Sequence, residues 1–567
     1  MRALAGQAAP AAETATTAAP AARPDHVTFS DDDDKRNLAP CHDFLASDKV
    51  HEPVPVIDPG AWQNAKHYDV VVVGAGMSGL HTAWKLRGLD KGDPPPDAPN
   101  IAIFERTNHV GGRARSTKVD GASIPIDLGA MRFSRQLHPL VSGIADHFAL
   151  KTREFPVSGD QNLQYFRGVR HTNAEVAANP QVMPFNVADN EKGKTANELV
   201  GMAIEAVVPN FKSLTDEQWA TARTSTTVPI TDPGTGTTSN VPLSQLGLQN
   251  ILRRTLSKEA VAFVTSSLGY RRYEMNWDAG AGLQTLSENF VPNVQYETPL
   301  DGMKAFPRAL AGDLQKHGTD INKKQTLRQI SYDADKKQFH LIFQSFKGEV
   351  TPVVADKVVL AMPKAPLDEL VYNSPFLQGT TLDKNLGKVT PIKMSRIFMT
   401  FPRAWWNDQG IQGGRSLTDL PVNQVYYYGQ DGDVRPYVQA YVDGDKADYL
   451  EGLQNPGNPG VGEKLCVTPQ LAAELHSELE ELHGRQIPAP DGFLYKCWGD
   501  KFFGGATHAW NKGSNPVQTS QQMIAPLDGM PLYVCGEAFS LKQGWIEGAL
   551  QTSEQVLARM GTPATQP

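Results

Sequence analysis

The sequence predicts an α/β protein, and three observations carry that prediction. A continuous β-branched run, Asp69-Val70-Val71-Val72-Val73, leads into a glycine-rich turn and then into apolar residues at near-helical spacing, Leu80, Ala83, Trp84 and Leu86. A second short apolar run, Ile101-Ala102-Ile103-Phe104-Glu105, completes a strand, helix, strand unit of the kind that builds buried parallel sheets. Near the carboxyl end the order returns: Leu532-Tyr533-Val534-Cys535 reads as a strand. After it comes a helix whose Ile546, Ala549, Leu550, Leu557 and Met560 share one face.

Size and composition bound what such a fold can do. At 567 residues the chain exceeds what one core fills, so two or three domains are expected. A net charge of −8 argues against a nucleic-acid partner, because polyanion binding draws its affinity from clustered Lys and Arg. No apolar run reaches the roughly 18 to 20 residues that cross a bilayer, so a soluble chain with no membrane partner is expected. The amino terminus carries no charged region followed by an apolar stretch, and the compartment is left open. Cys41, Cys466, Cys497 and Cys535 have no metal-type or redox-type spacing and are expected to be buried apolar residues, with no metal bound.

The elements follow in order. Residues 1–38 are rich in Ala, Thr and Pro and end in the run Asp31-Asp32-Asp33-Asp34-Lys35-Arg36, so a disordered arm is expected. Across 170–290, segments such as 196–207 and 243–264 suit helices, with a Thr/Pro/Gly loop near 225–240 between them. Beyond, 330–350 alternates like hairpin strands, Val358-Val359-Leu360 suits a short buried strand, and 397–401 suits another.

In the first turn, Gly74-Ala75-Gly76-Met77-Ser78-Gly79 has the G-x-G-x-x-G spacing of a dinucleotide-binding, Rossmann-like unit. The first glycine permits the tight turn, Gly76 lets backbone approach a pyrophosphate, and Gly79 lets helix pack on strand. The phosphates then sit among the free N–H groups of the helix amino terminus. Glu105 ends the second strand, where a carboxylate accepts from ribose hydroxyls and repels a 2′-phosphate. The Pro-rich stretch 93–97 accounts for its distance from Gly79.

Past Glu105 and Arg106 comes Gly111-Gly112-Arg113-Ala114-Arg115-Ser116, and at the other end Gly536-Glu537 precedes Gly544-Trp545-Ile546-Glu547-Gly548. In this order the motifs resemble the flavin-dependent amine oxidase superfamily. The resemblance implies an FAD domain of the two-dinucleotide-binding type, interleaved with an α+β substrate domain and a helical subdomain. It implies one non-covalent FAD, because neither Cys nor His stands near Phe539 and Ser540, where a covalent link would be expected. Implied FAD contacts are Gly74, Gly76, Met77, Ser78, Gly79, Glu105, Arg106, Gly112, Arg113, Gly129, Ala130, Met131, Arg132, Leu327, Gly536, Glu537, Gly544, Trp545 and Ile546. The turn 300–307 resembles a further cofactor-side motif.

Within that superfamily, Asp127-Leu128-Gly129-Ala130-Met131-Arg132-Phe133, the run 413–421, Tyr426-Tyr427-Tyr428 and Gln439-Ala440-Tyr441 resemble the L-amino-acid oxidases. The resemblance implies that Arg132 clamps a substrate carboxylate bidentately, that Tyr441 donates to it, and that the Gly544 carbonyl accepts from the amine. It implies an L-amino acid and dioxygen as partners, hydride transfer to the flavin, and 2-oxo acid, ammonia and hydrogen peroxide as products. Gly544, Trp545, His508 and Trp510 are implied on the substrate side. In one departure, the register ending at Trp405-Trp406 puts Arg396 where the family has a lysine holding a water near flavin N5. Lys393 lies three residues earlier, and the two are the candidates for that role.

The expected partition is an FAD domain from 67–113, 300–368 and 526–567, a substrate domain from 40–60, 114–165 and 372–520, and a helical subdomain at 170–290. An amino-acid 2-monooxygenase, a monoamine or polyamine oxidase, and a flavin-binding scaffold without turnover are the rival readings. The preferred side chain, processing of the arm, and a homodimer or higher assembly are left open.

Overall fold

The computed structural model describes residues 54–119, 121–270, 277–291, 293–454, 463–464, 467–499 and 503–561. The arm expected at 1–38, Cys41 and Cys466 lie outside them; Cys497 and Cys535 are buried free thiols. Two large sheets organise the chain.

The first sheet grows around Lys66–Val73, whose Val71 and Val72 are fully buried. It pairs in parallel with Ile101–Glu105 on one side and Val350–Leu360 on the other, so that Val73 lies opposite both Phe104 and Leu360. Asp320–Lys323 joins in parallel beyond Ile101–Glu105, and Leu532–Val534 joins in parallel at the end of Val350–Leu360. Gln325–Asp333 and Gln338–Ser345 continue the sheet as an antiparallel meander. The short strand expected at 358–360 is thus the tail of an eleven-residue strand. That strand exchanges its neighbour midway, and the intervening Asp356-Lys357 hid its length.

The first helix, Met77–Leu86, packs between this sheet and the last helix, Ile546–Arg559. Close approach makes two glycines obligatory. Gly74 has φ of 108°, and a Cβ at Gly79 would stand 2.0 Å from the Gly74 carbonyl oxygen and 3.0 Å from the Ala361 Cβ.

The second sheet is mostly antiparallel. Its central strands are Met394–Thr400, Tyr437–Asp443, Gln424–Tyr428 and Arg415–Thr418, and Leu163–Phe166 pairs in parallel with the last of these. Arg396, Tyr441 and Gln424 are cross-strand neighbours, so they share one face. The opposite face carries Ile397, Val425, Tyr427, Val438 and Ala440 into an apolar core with Trp405 and Trp406.

Between residues 170 and 290 the structure corrects two expectations. The loop expected near 225–240 is a hairpin, Thr227–Thr231 paired with Thr238–Pro242. The helix suited to 243–264 is broken into Leu248–Thr255 and Lys258–Leu268, because Leu256 turns extended and the Ser257 side chain accepts from Ala260 N as a new cap. The expected helix at 196–207 spans Ala196–Glu205, started by a capping box of Thr195 and Glu198.

Gly79→Ala should lower stability by about 3 kcal/mol or more, since the added methyl meets backbone that cannot rotate away. The urea midpoint measures this, and an unchanged midpoint would contradict the close packing of helix on strand.

Candidate active site

One long cavity opens at the carboxyl ends of the parallel strands. Val73 and Gly74, Glu105 and Arg106, Ala361 and Met362, and Gly536 and Glu537 all line it, each pair following or ending a different strand. Ligands of doubly wound sheets bind at this edge because it is where strand ends and helix amino termini converge.

The two helices that meet here begin without side-chain caps. Met77–Leu86 starts at Gly76 and Ile546–Arg559 at Trp545, and neither residue's side chain bonds the first turn. Elsewhere Thr172, Thr195 and Thr215 each close a helix start with a capping box. The uncapped N–H groups of these two helix starts border the cavity, where a diphosphate can satisfy them. A Cβ at Gly76 would meet nothing within 4 Å, so that glycine faces open space. Glu105 holds the turn itself: it accepts from Ala75 N at 2.8 Å through Oε2 and from Thr107 N at 2.8 Å through Oε1. Gln325, Thr326 and Leu327 line the cavity on this side.

Glu537 is the hub of the cavity's middle. Its carboxylate accepts from Arg113 Nη1 at 2.8 Å, Thr507 Oγ1 at 2.7 Å, and the backbone N–H groups of His508 and Gly544 at 2.9 Å; His508 Nδ1 lies 2.9 Å away. Burial pushes the carboxyl up, but Arg113 and His508 outweigh it and hold Glu537 well below the usual carboxylate range. Arg113 also donates to the Ala506 carbonyl at 2.9 Å.

At the far end stands Arg132, with Gly129, Ala130 and Met131 before it on the cavity wall. Aromatic rings surround its guanidinium: Tyr296 at 4.8 Å, Phe155 at 5.4 Å and Trp545 at 5.9 Å. Its Nη1 donates to the Tyr426 hydroxyl at 3.3 Å, and its buried Nε has no partner. Among the described residues no carboxylate pairs with it. Tyr441 also lines the cavity, with its hydroxyl on Met394 Sδ at 3.1 Å and the Arg396 guanidinium over its ring at 4.4 Å. Arg396 lines the wall as well and donates to the Asp127 carbonyl at 3.0 Å.

Most residues singled out from the sequence converge on this cavity, including Met77, Ser78, Gly112, Gly544, Trp545 and Ile546. Four do not. Lys393 points away, into an ion pair with Asp448 and Glu451, because it lies an odd number of residues from Arg396 along the chain and is turned to the other side. His508 and Trp510 lie buried behind the wall, His508 on Glu537 and Trp510 with Nε1 on the Ser540 carbonyl at 3.0 Å. Gly79 is a packing residue. Sequence reading missed Tyr270, Met394, Trp498 and Phe503 on the wall and Tyr426 behind Arg132. Strand alternation offered a signal for Met394, two residues before Arg396.

Replacing Glu537 with Ala would leave the Arg113 guanidinium and the Gly544 N–H without an acceptor, a loss of about 3 to 5 kcal/mol. The depressed acid makes the sign definite. Its contribution is complete above the unfolded carboxylate range near pH ~4.3 and is lost as pH falls through the lower folded value. Thermal midpoints of parent and variant should therefore differ by a constant amount from about pH 7 to about pH 5 and converge in stronger acid. A constant difference down to strong acid would contradict the ionised hub.

The family model described as flavin containing amine oxidoreductase matches residues 77–559. The chain is similar to the L-amino acid oxidase Bs29 of Bothriechis schlegelii, 25% identical over 506 residues, covering 87% of this chain and 89% of that protein. It is similar to Achacin of Lissachatina fulica, 26% identical over 534 residues, covering 88% and 94%. Among solved structures, putrescine oxidase bound to putrescine shares the fold with a TM-score of 0.62 at 16% identity, covering 88% of this chain and 100% of that one. The uncapped helix pair and the glycine cradle fit the diphosphate of FAD, which is the cofactor. With the match running from the first helix to the last, the chain belongs to the flavin containing amine oxidoreductase family.

Proposed function

We propose that the chain is an L-amino-acid oxidase that holds FAD non-covalently and converts an L-amino acid, water and dioxygen to a 2-oxo acid, ammonia and hydrogen peroxide. The observation that carries this reading is Arg132, a half-buried guanidinium on the cavity wall with a buried, unpartnered Nε and no carboxylate beside it among the described residues. A charge held this way costs several kcal/mol unless an anion reaches it, and an amino acid brings one. The L-amino acid oxidases among the relatives support the same substrate class.

The chain's own groups then have definite tasks. Arg132 fixes the carboxylate through two parallel N–H donors, which sets both position and rotation of the substrate. The Tyr441 hydroxyl gives up its weak sulfur acceptor and donates to the carboxylate. The Gly544 carbonyl accepts from the amine, on a residue whose own N–H, one peptide unit earlier, is held by Glu537. Phe155, Tyr296 and Trp545 exclude water around the clamp. Bound in this cavity, the flavin supplies the two-electron acceptor for the Cα–H bond and passes the electrons to dioxygen. Arg396 donates hydrogen bonds and offers no acceptor atom, so it is not the base. Cys535 is buried against Thr82 and is not on the cavity wall, which supports non-covalent binding.

Arg132→Ala should cut kcat/KM by about two to four orders of magnitude, from a loss of about 3 to 5 kcal/mol, while flavin content and thermal midpoint stay close to the parent. Tyr441→Phe should cost only about 0.5 to 1.5 kcal/mol. The test is a peroxide assay across the L-amino acids with putrescine and cadaverine alongside. Faster turnover of a decarboxylated amine would put the clamp aside in favour of an amine oxidase, and an amide product with carbon dioxide would make the enzyme a 2-monooxygenase.

A further inference from the structure

Tyr426 occupies an unusual place behind the clamp. It lies on Gln424–Tyr428 directly opposite Arg415 of Arg415–Thr418 and is buried. Its oxygen accepts from Arg132 at 3.3 Å, and the charge of Arg415 acts on it from the paired strand, so one phenol is flanked by two guanidiniums. The other contact of Arg415 is the neutral amide oxygen of Gln424, and among the described residues neither arginine pairs with a carboxylate. The Tyr426 oxygen accepts from Arg132, and its hydroxyl proton has no acceptor among the described residues.

The titratable and charged groups facing this oxygen are Arg132, Arg415, Tyr270, Tyr296 and Tyr428. Burial raises Tyr270, Tyr296 and Tyr428 above the ordinary phenol range. Burial acts on Tyr426 too, but Arg415 and Arg132 outweigh it and pull that phenol down to about 8. Arg132 and Arg415 act on Tyr270 and Tyr296 too, but of these phenols only at Tyr426 do the cations outweigh burial.

We propose that Tyr426 backs the carboxylate clamp: placed behind Arg132 and opposite Arg415, its neutral hydroxyl holds the Arg132 guanidinium toward the substrate carboxylate, and once its proton is lost to solvent the phenolate competes with that carboxylate as the anionic partner of Arg132. This rests on the reading of Arg132 as the carboxylate site. It makes the arginine pair, rather than Tyr441 alone, the determinant of how affinity for the amino acid depends on pH. Loss of affinity in alkali is the distinguishing sign, because deprotonation of the substrate amine favours turnover and acts in the opposite direction.

The experiment uses the FAD-loaded full chain from about pH 6 to about pH 10, spanning the ordinary and lowered phenol ranges. It measures kcat and KM with the best L-amino acid, and binding of benzoate, a carboxylate without an oxidisable amine, through the flavin's visible absorbance. In the parent, kcat/KM and benzoate affinity should both fall above about pH 8. Tyr426→Phe should abolish both declines and, at lower pH, raise KM by about threefold to tenfold with kcat within about twofold. Arg415→Gln removes one of the two cations and should move the decline toward the ordinary phenol range near ~10. A parent without the decline, or the same decline in Tyr426→Phe, overturns the role of Tyr426. Should that variant not fold, an unmoved decline in Arg415→Gln overturns it alone. Turnover of L-amino acids without this pattern leaves the oxidase reading standing, whereas benzoate binding with the pattern but no turnover of any L-amino acid defeats the oxidase reading and keeps the role of Tyr426.

Discussion

The carboxylate of Glu537 is the constraint on which the cavity depends. It joins three parts of the chain that are far apart in sequence: Arg113 after the first dinucleotide unit, Thr507 and His508 on a strand of the middle region, and Gly544 before the last helix. Each contact satisfies a donor that burial would otherwise leave costly, and the carboxylate is in turn kept ionised by the charge of Arg113. A single side chain thereby fixes the spacing between two helix starts and the strand beside them. Glu105 does the same on a smaller scale, closing the glycine turn on Ala75 and Thr107.

The cavity has two electrostatic regions. Glu105 and Glu537 stand at the strand ends, with their oxygens already engaged by chain donors, and the free donors there belong to uncapped helix starts. The far end holds the half-buried guanidinium of Arg132 and the buried one of Arg396 among tyrosine and tryptophan rings. Ring faces soften the cost of burying a guanidinium but do not match a carboxylate, so the field at that end favours an anion. Uncapped helix starts at one end and guanidiniums at the other thus give the cavity two separate places for an anion.

Much of the cofactor region was legible in the sequence, because it is built from local patterns: a β-branched run, glycines at fixed spacing, and an acidic residue ending a strand. Gly74, Gly76, Glu105 and Gly536 could be read one motif at a time. The substrate end was legible only through resemblance. Arg132 and Tyr441 reach the cavity from different strands and loops, and nothing local in either segment announces the other. What escaped depended on long-range facts. His508 sits next to wall residue Thr507, and strand alternation turns it onto Glu537 instead. Tyr426 reads as one tyrosine of three until the register sets it opposite Arg415. The tail of Val350–Leu360 reads as a separate strand because a charged pair interrupts its apolar run.

The arginine at 396 has a structural consequence of its own. A lysine offers a compact charge with rotatable donors, whereas a guanidinium can lie flat on a ring and still donate along its edge. Arg396 does both: it stacks over Tyr441 and donates to the backbone carbonyl of Asp127. Asp127 begins the segment that runs through Gly129 to Arg132, and its own carboxyl is anchored by Ser116 and by Met303 N at 2.9 Å. Burial raises that carboxyl to about 6 against these hydrogen bonds and the nearby charge of Arg396. The arginine therefore ties the wall beside Tyr441 to the segment that carries Arg132. Lysine could reach the same carbonyl only by leaving the ring, so at this position arginine holds two parts of the pocket in a register that a single ammonium donor cannot.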